Sequence, residues 1–221
     1  MIRKKYQAFF FDFDGVLADS VEVKTRAFAK LFECYGPVVE AKVVEHNRNN
    51  GGMTRVDKFH HYYQEILGKP LDKAELQRLC NDFSRLVVDE VVSAAEIPGA
   101  EKFLKKWHKS IRCFVVSATP DEEIKKIVKR RGIDIYFEKI LGSSCYKTEH
   151  VNYQLDKYSF NPDQCIFFGD AESDYRAATE SGVDFIGILP NKNAQLLQIA
   201  PDITWVRDFV GMDLEKLMGR R

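Results

Sequence analysis

Four short runs with no polar alternation constrain the fold of this chain more than any other feature: residues 7–11, 112–116, 164–168 and 185–189. A strand that is apolar on both faces needs cover on both faces, which is the situation in a parallel sheet flanked by helices. Lys139–Leu141 is a weaker fifth run. Helical spacing separates the runs. Ile124, Ile127 and Val128 share one face after Pro120, and Ala177 and Ala178 lie on another that should stop near Gly182. Strand and helix in alternation predict an α/β, doubly wound parallel-sheet (Rossmann-like) domain.

One stretch breaks the alternation. Between about residues 20 and 97 the apolar residues recur at helical rather than strand spacing: Val21, Phe28, Leu31, Phe32 and Tyr35, then Met53, Val56, Phe59, Tyr63 and Ile66, then Leu76, Leu79, Phe83, Leu86 and Val87. Gly36-Pro37 and Gly68-Lys69-Pro70 punctuate them, and Pro98-Gly99 marks the return. The expected organisation is an α/β core of residues 1–17 and 97–221, interrupted by a helical insert, 18–96. A length of 221 residues suits one main domain plus a modest insert.

Charge and cysteine usage narrow the partners. With 33 basic and 33 acidic residues the formal charge is zero, so no overall footprint for nucleic acid or an anionic membrane is present. No run approaches the ~18 apolar residues of a membrane span. Asp12 and Asp14 interrupt the first apolar stretch, which argues against a signal peptide. Cys34, Cys80, Cys113, Cys145 and Cys165 are scattered and form no C-x-x-C pair, so neither a zinc site nor a disulfide frame is expected. Cys113 and Cys165 read as small core residues, and a reducing cytoplasm is the expected location.

The ends of the apolar runs carry the chemistry. Phe11-Asp12-Phe13-Asp14-Gly15 puts two carboxylates where a buried strand meets a glycine. In a parallel sheet this is the edge at which ligands bind, and acids buried there must be paired, protonated or metal-bound. Phe168-Gly169-Asp170-Ala171-Glu172-Ser173-Asp174 repeats the pattern. Taken alone, those later acids would also serve as helix caps. Beside Asp12 and Asp14 they suggest a shared divalent cation, with hard oxygen ligands suited to Mg²⁺. Val116-Ser117-Ala118-Thr119-Pro120 offers a hydroxyl and backbone N–H groups before a helix, either as an anion cradle or as an ordinary cap. Lys147 follows the weak strand, either solvated or neutralising a phosphate or Asp12.

Asp-x-Asp-Gly, then Ser, then Lys, then Gly-Asp-x-x-x-Asp, in that order and at strand ends, resembles the haloacid dehalogenase-like hydrolase superfamily. The helical insert resembles the alpha-helical cap of its phosphoglycolate phosphatase-like and β-phosphoglucomutase-like members. Residues 12–20 and Ile97-Pro98-Gly99-Ala100 carry the match at the two ends of that cap. The resemblance implies a Mg²⁺-dependent phosphatase acting on a small phosphorylated metabolite through an aspartyl phosphate. Asp12 would be the nucleophile and Asp14 the general acid and base, with its pKa displaced upward by neighbouring acids. Ser117 and Ala118 would hold phosphoryl oxygens, and Lys147 would offset charge. Asp12, the Asp14 carbonyl and Asp170 would ligate Mg²⁺, with Asp174 orienting that shell.

An acid at Asp14 favours phosphatases and phosphomutases over the dehalogenases and phosphonatases of the superfamily. Ala171 and Thr148 depart from its pattern, which often has Ser or Thr, and Pro, at these places. In the cap, His46 to Arg55 is the candidate selectivity loop. Arg48 or Arg55 would read a substrate carboxylate or second phosphate there, unless the loop is merely solvated. Adjacent His60 and His61 point to different sides of a helix and suit a surface or interface role. Hinges are expected at residues 17–19 and 94–97. A sugar phosphomutase, or a non-catalytic binding protein on the same fold, is the competing reading, and a monomer or homodimer is expected.

Overall fold

The computed structural model describes residues 6–218. Its centre is a six-stranded, all-parallel sheet of β1 (Ala8–Phe11), β2 (Arg112–Val116), β3 (Lys139–Leu141), β4 (Cys165–Gly169), β5 (Asp184–Ile188) and β6 (Trp205–Val206), in the order β3-β2-β1-β4-β5-β6. The four strong apolar runs and the weak fifth all form strands, within a residue or so of their expected ends. β6 has no such signature: two half-buried residues continue the sheet past β5.

Strand alternation divides the aromatic residues between two layers. Phe9 and Phe11 point to one face and Phe10 to the other. On the first face Phe11 stacks on Phe168 at a centroid distance of 4.8 Å, and α5 (Ala100–Trp107) adds Phe103. α6 (Asp121–Arg130) adds Ile124, Ile127 and Val128. On the second, Phe10 stacks between Phe114 and Phe167, beneath α7 (Lys147–Tyr158) and α8 (Glu172–Glu180). Each fully buried phenylalanine contributes about 2–3 kcal/mol of transfer free energy. Cys113 and Cys165 are buried in these layers, and all five cysteines are free. α9 (Leu196–Ile199) and α10 (Leu214–Met218) complete the core.

Between β1 and α5 the chain forms α1 (Val21–Phe32), α2 (Pro37–Asn49), α3 (Arg55–His61), continued by a π-helical turn, and α4 (Lys73–Ser93). Thr54 caps α3 and Asp72 caps α4 through their side-chain oxygens. Phe28, Phe32, Phe59, Tyr62 and Phe83 form the insert's own aromatic core, Phe28 and Phe83 lying 4.3 Å apart. Three of the apolar stripe residues, Tyr35, Val56 and Leu86, are instead exposed, while Tyr62 supplies the buried ring. The loop expected from His46 to Arg55 is shorter than the sequence suggests: His46 to Asn49 complete α2 and Arg55 opens α3, because Thr54 caps there. The two connecting segments run side by side. Asp19 donates its N–H to the Ala95 carbonyl at 2.9 Å, and Ile97 donates to Leu17 at 3.2 Å. No helix among the described residues is long and apolar enough to cross a membrane.

Candidate active site

β1 and β4 are neighbours at the point where strand order reverses, and Phe11 pairs with Phe168. Asp12 and Asp170 therefore leave the sheet side by side, in the crevice where such folds bind ligands. Carboxylate oxygens of Asp12, Asp170 and Asp174 all lie within 4.8 Å of one another. Gly15 makes this approach possible. Its φ is +81°, and a Cβ there would lie 2.3 Å from Asp170 Oδ2, so any side chain would evict that carboxylate.

Asp174 is fully buried at the start of α8. Its Oδ2 accepts the N–H groups of Asp170 (3.3 Å) and Ala171 (3.1 Å), and its Oδ1 accepts from Lys147 Nζ at 2.6 Å. Lys147 reaches Asp12 as well, at 2.9 Å. Burial opposes the lysine's charge, yet Asp12 and Asp174 outweigh it and raise its pKa above the ordinary value. Burial, with help from Asp174 and Asp14, pushes Asp12 up to about 7 against the pull of Lys147. Burial, Asp12 and Asp174 push Asp170 well above the carboxylate range. Three crowded acids facing one lysine have an excess of negative charge, and hard oxygen donors at this spacing fit a divalent cation such as Mg²⁺.

Asp14 faces elsewhere. Its carboxylate accepts from Ser20 Oγ at 2.6 Å and is bonded to Lys24 Nζ, which also reaches Thr119 Oγ1 at 2.7 Å. The expected upward displacement of its pKa is therefore reversed. Burial does push it up, but the Lys24 charge and the hydrogen bonds from Lys24 and Ser20 hold it below the ordinary value. Nothing in the motif spacing points to Lys24, because it sits on the insert, ten positions along the chain.

Ser117 ends β2 beside the acids, and its hydroxyl accepts the Thr119 N–H at 3.2 Å. Its own N–H bonds to the Leu141 carbonyl, so the Ser117 amide is not available to an anion. Ser117, Ala118 and Lys147 line a cavity of about 570 Å³ between core and insert. Arg48 and Arg55 line it too, but each guanidinium faces a carboxylate. Arg48 pairs with Glu22 at the exposed rim (3.0 Å). Arg55 is buried in a two-pronged pair with Glu123 of α6 and bonds to Ser84 Oγ at 2.7 Å. His60 is exposed, whereas His61 stacks on His46 at 3.9 Å. The glycine turn packs down on the core: Gly52, at φ +78°, leaves no room for a Cβ above Ser173 Oγ.

A family model described as haloacid dehalogenase-like hydrolase matches residues 9–188. A phosphoglycolate phosphatase of Haemophilus influenzae is 24% identical over 208 residues, covering 90% of this chain and 92% of the relative. A phosphorylated carbohydrates phosphatase of Thermotoga maritima is 25% identical over 201 residues, covering 85% and 87%. Among solved structures, a β-phosphoglucomutase of Clostridium difficile superposes with a TM-score of 0.78 at 21% identity, over 97% of this chain and 96% of that one. The matched segment contains every acid of the cluster, Ser117 and Lys147, and the chain belongs to the haloacid dehalogenase-like hydrolases.

Proposed function

We propose that the protein is a Mg²⁺-dependent phosphatase that hydrolyses a small phosphate monoester through an aspartyl phosphate on Asp12. The observation that carries this reading is the convergence of Asp12, Asp170 and Asp174 within 4.8 Å, with Lys147 bonded across Asp12 and Asp174. Relatives named as phosphatases of phosphoglycolate and of phosphorylated carbohydrates support the same reaction class.

Asp12, Asp170 and the Asp14 carbonyl would hold Mg²⁺, with Asp174 fixing the surrounding shell; the ion would supply positive charge to the phosphoryl oxygens. Each side chain then has a task. An Asp12 oxygen attacks phosphorus, and the bond from phosphorus to the ester oxygen breaks. Lys147 reduces the repulsion between two anions that otherwise blocks this approach. The Ser117 hydroxyl and the Ala118 N–H hold phosphoryl oxygens. Asp14, whose pKa Lys24 holds down, relays a proton from that ammonium to the departing oxygen. It then takes a proton from the water that attacks the aspartyl phosphate, releasing phosphate and restoring Asp12. The insert acts as a cap that keeps bulk water from the site, hinged at its paired linkers.

The test is phosphate release from a panel of phosphorylated metabolites, with and without Mg²⁺. Release that requires Mg²⁺ supports the reading, and no release from any ester overturns it. A sugar 1-phosphate in the panel identifies a phosphomutase by the appearance of the 6-phosphate in place of free phosphate.

A further inference from the structure

Six cationic side chains line the cavity: Lys24, Arg48, Arg55, Lys58, Lys147 and Arg176. Five of them face carboxylates: Lys24 faces Asp14, Arg48 faces Glu22, Arg55 faces Glu123, Lys147 faces Asp12 and Asp174, and Arg176 faces Glu180. Lys58 alone among them has no acid partner among the described residues. It is also buried, with 6% of its surface exposed, on α3 of the cap.

An unpaired buried ammonium costs several kcal/mol unless something neutralises it. The surroundings of Lys58 do so only in part. Its Nζ donates to Asn47 Oδ1 at 2.6 Å, and Asn47 is held in turn by Thr25 Oγ1 at 2.9 Å. The Phe28 ring lies 5.4 Å from the same nitrogen. One acceptor leaves two of the three ammonium N–H groups for the cavity. Burial and the nearby Lys24 pull its pKa down to about 7, while Asp14 and Asp170, on the core side of the same cavity, act in the opposite direction. A positive group preoriented by Asn47 and Thr25, facing open space, is a built half of an ion pair.

We propose that Lys58 selects the substrate by binding a second anionic oxygen group, carboxylate or phosphate, on the organic half of the ester. This rests on the phosphatase reading above and deepens it. The phosphoryl end lies against Asp12 and Lys147, and the anionic end lies against Lys58 and Asn47. Phe28 and Phe83 line the same cavity and offer apolar contact to the carbon linkage between the two ends. Arg48 and Arg55, the residues the sequence offers for this task, have their charge committed to Glu22 and Glu123.

The test compares three two-carbon esters in the presence of Mg²⁺: 2-phosphoglycolate, ethylene glycol bisphosphate and ethylene glycol monophosphate. The first two end in a carboxylate and a phosphate, and the third ends in a neutral hydroxyl. For the wild type, kcat/KM for one of the anion-tailed esters should exceed that for the neutral one by about 100-fold. Lys58→Met should erase that preference through KM, leaving the neutral ester within about threefold of wild type, and Lys58→Arg should restore part of it. An equal loss on all three esters, or a wild type without preference, overturns the proposal. Calorimetric titration of the same compounds into Asp12→Asn, which cannot turn over, separates the two readings. Selective binding of an anion-tailed ester that Lys58→Met removes upholds Lys58 even if no ester is hydrolysed. Equal binding of all three, or none, overturns it.

Discussion

The ammonium of Lys24 is bonded to the carboxylate of Asp14, although one belongs to the first helix of the cap and the other to the loop after β1. The cap thus supplies the counter-charge for the group proposed as general acid and base. Lys24→Met removes the ammonium from which Asp14 would relay its proton. For an alkyl phosphate, whose leaving oxygen needs a proton, kcat should fall about 10–100-fold. For p-nitrophenyl phosphate, whose leaving group does not, the loss should be far smaller. Steady-state kinetics on the two esters reads the difference, and equal losses would remove Asp14 from proton transfer.

Excess negative charge at Asp12, Asp170 and Asp174 predicts that Mg²⁺ stabilises the fold as well as activating it. Millimolar Mg²⁺ should raise the melting temperature, because an ion that binds only the native state adds its binding free energy to stability. Asp170→Asn should lose this response and the Mg²⁺-dependent activity together. Chelation should return the wild type to its metal-free melting temperature. A melting temperature indifferent to Mg²⁺ would argue that the acids hold no such ion.

Arg55 and Glu123 join cap to core in a buried, bidentate pair. Removing one partner leaves the other charged and desolvated, so Glu123→Ala should cost about 3–5 kcal/mol. Replacing the pair with Arg55→Met and Glu123→Leu together should cost much less than the sum of the single changes. Urea unfolding of the single and double variants measures this coupling.

Lys58 predicts a pH dependence of stability. Its pKa is about 7 in the folded chain and about 10.5 in the unfolded one. Between those values the unfolded state binds more protons, so the contribution of Lys58 to stability improves as pH rises through this window. Below 7 its penalty is fully present. Lys58→Met should therefore be more stable than the wild type at neutral pH, by about 1–2 kcal/mol. The gap should close towards pH 10.5. A gap that does not change with pH would mean that Lys58 is not held charged at a cost.

The core and the acid cluster are legible in sequence because local signals coincide with tertiary ones. Apolar runs mark strands buried on both faces, and Asp12 and Asp170 end two of them. β6 is not legible, since two half-buried residues carry no pattern. Lys24, Lys58 and Glu123 are equally silent. Each is a common charged residue on a helix, and what distinguishes it is a partner on another element or the lack of one. Asp14 shows the same limit. In sequence it stands two residues from another acid, Asp12, whereas its side-chain partners in space include Lys24 and Ser20.

In the proposed mechanism Asp12 carries the phosphoryl group between ester and water. Rapid acid quench of a working enzyme, followed by borohydride reduction and peptide mass spectrometry, tests it directly. Homoserine is expected at position 12, formed from the acyl phosphate, and none in Asp12→Asn, which should also release no phosphate. Modification at another residue, or phosphate release by Asp12→Asn at the wild-type rate, would contradict it.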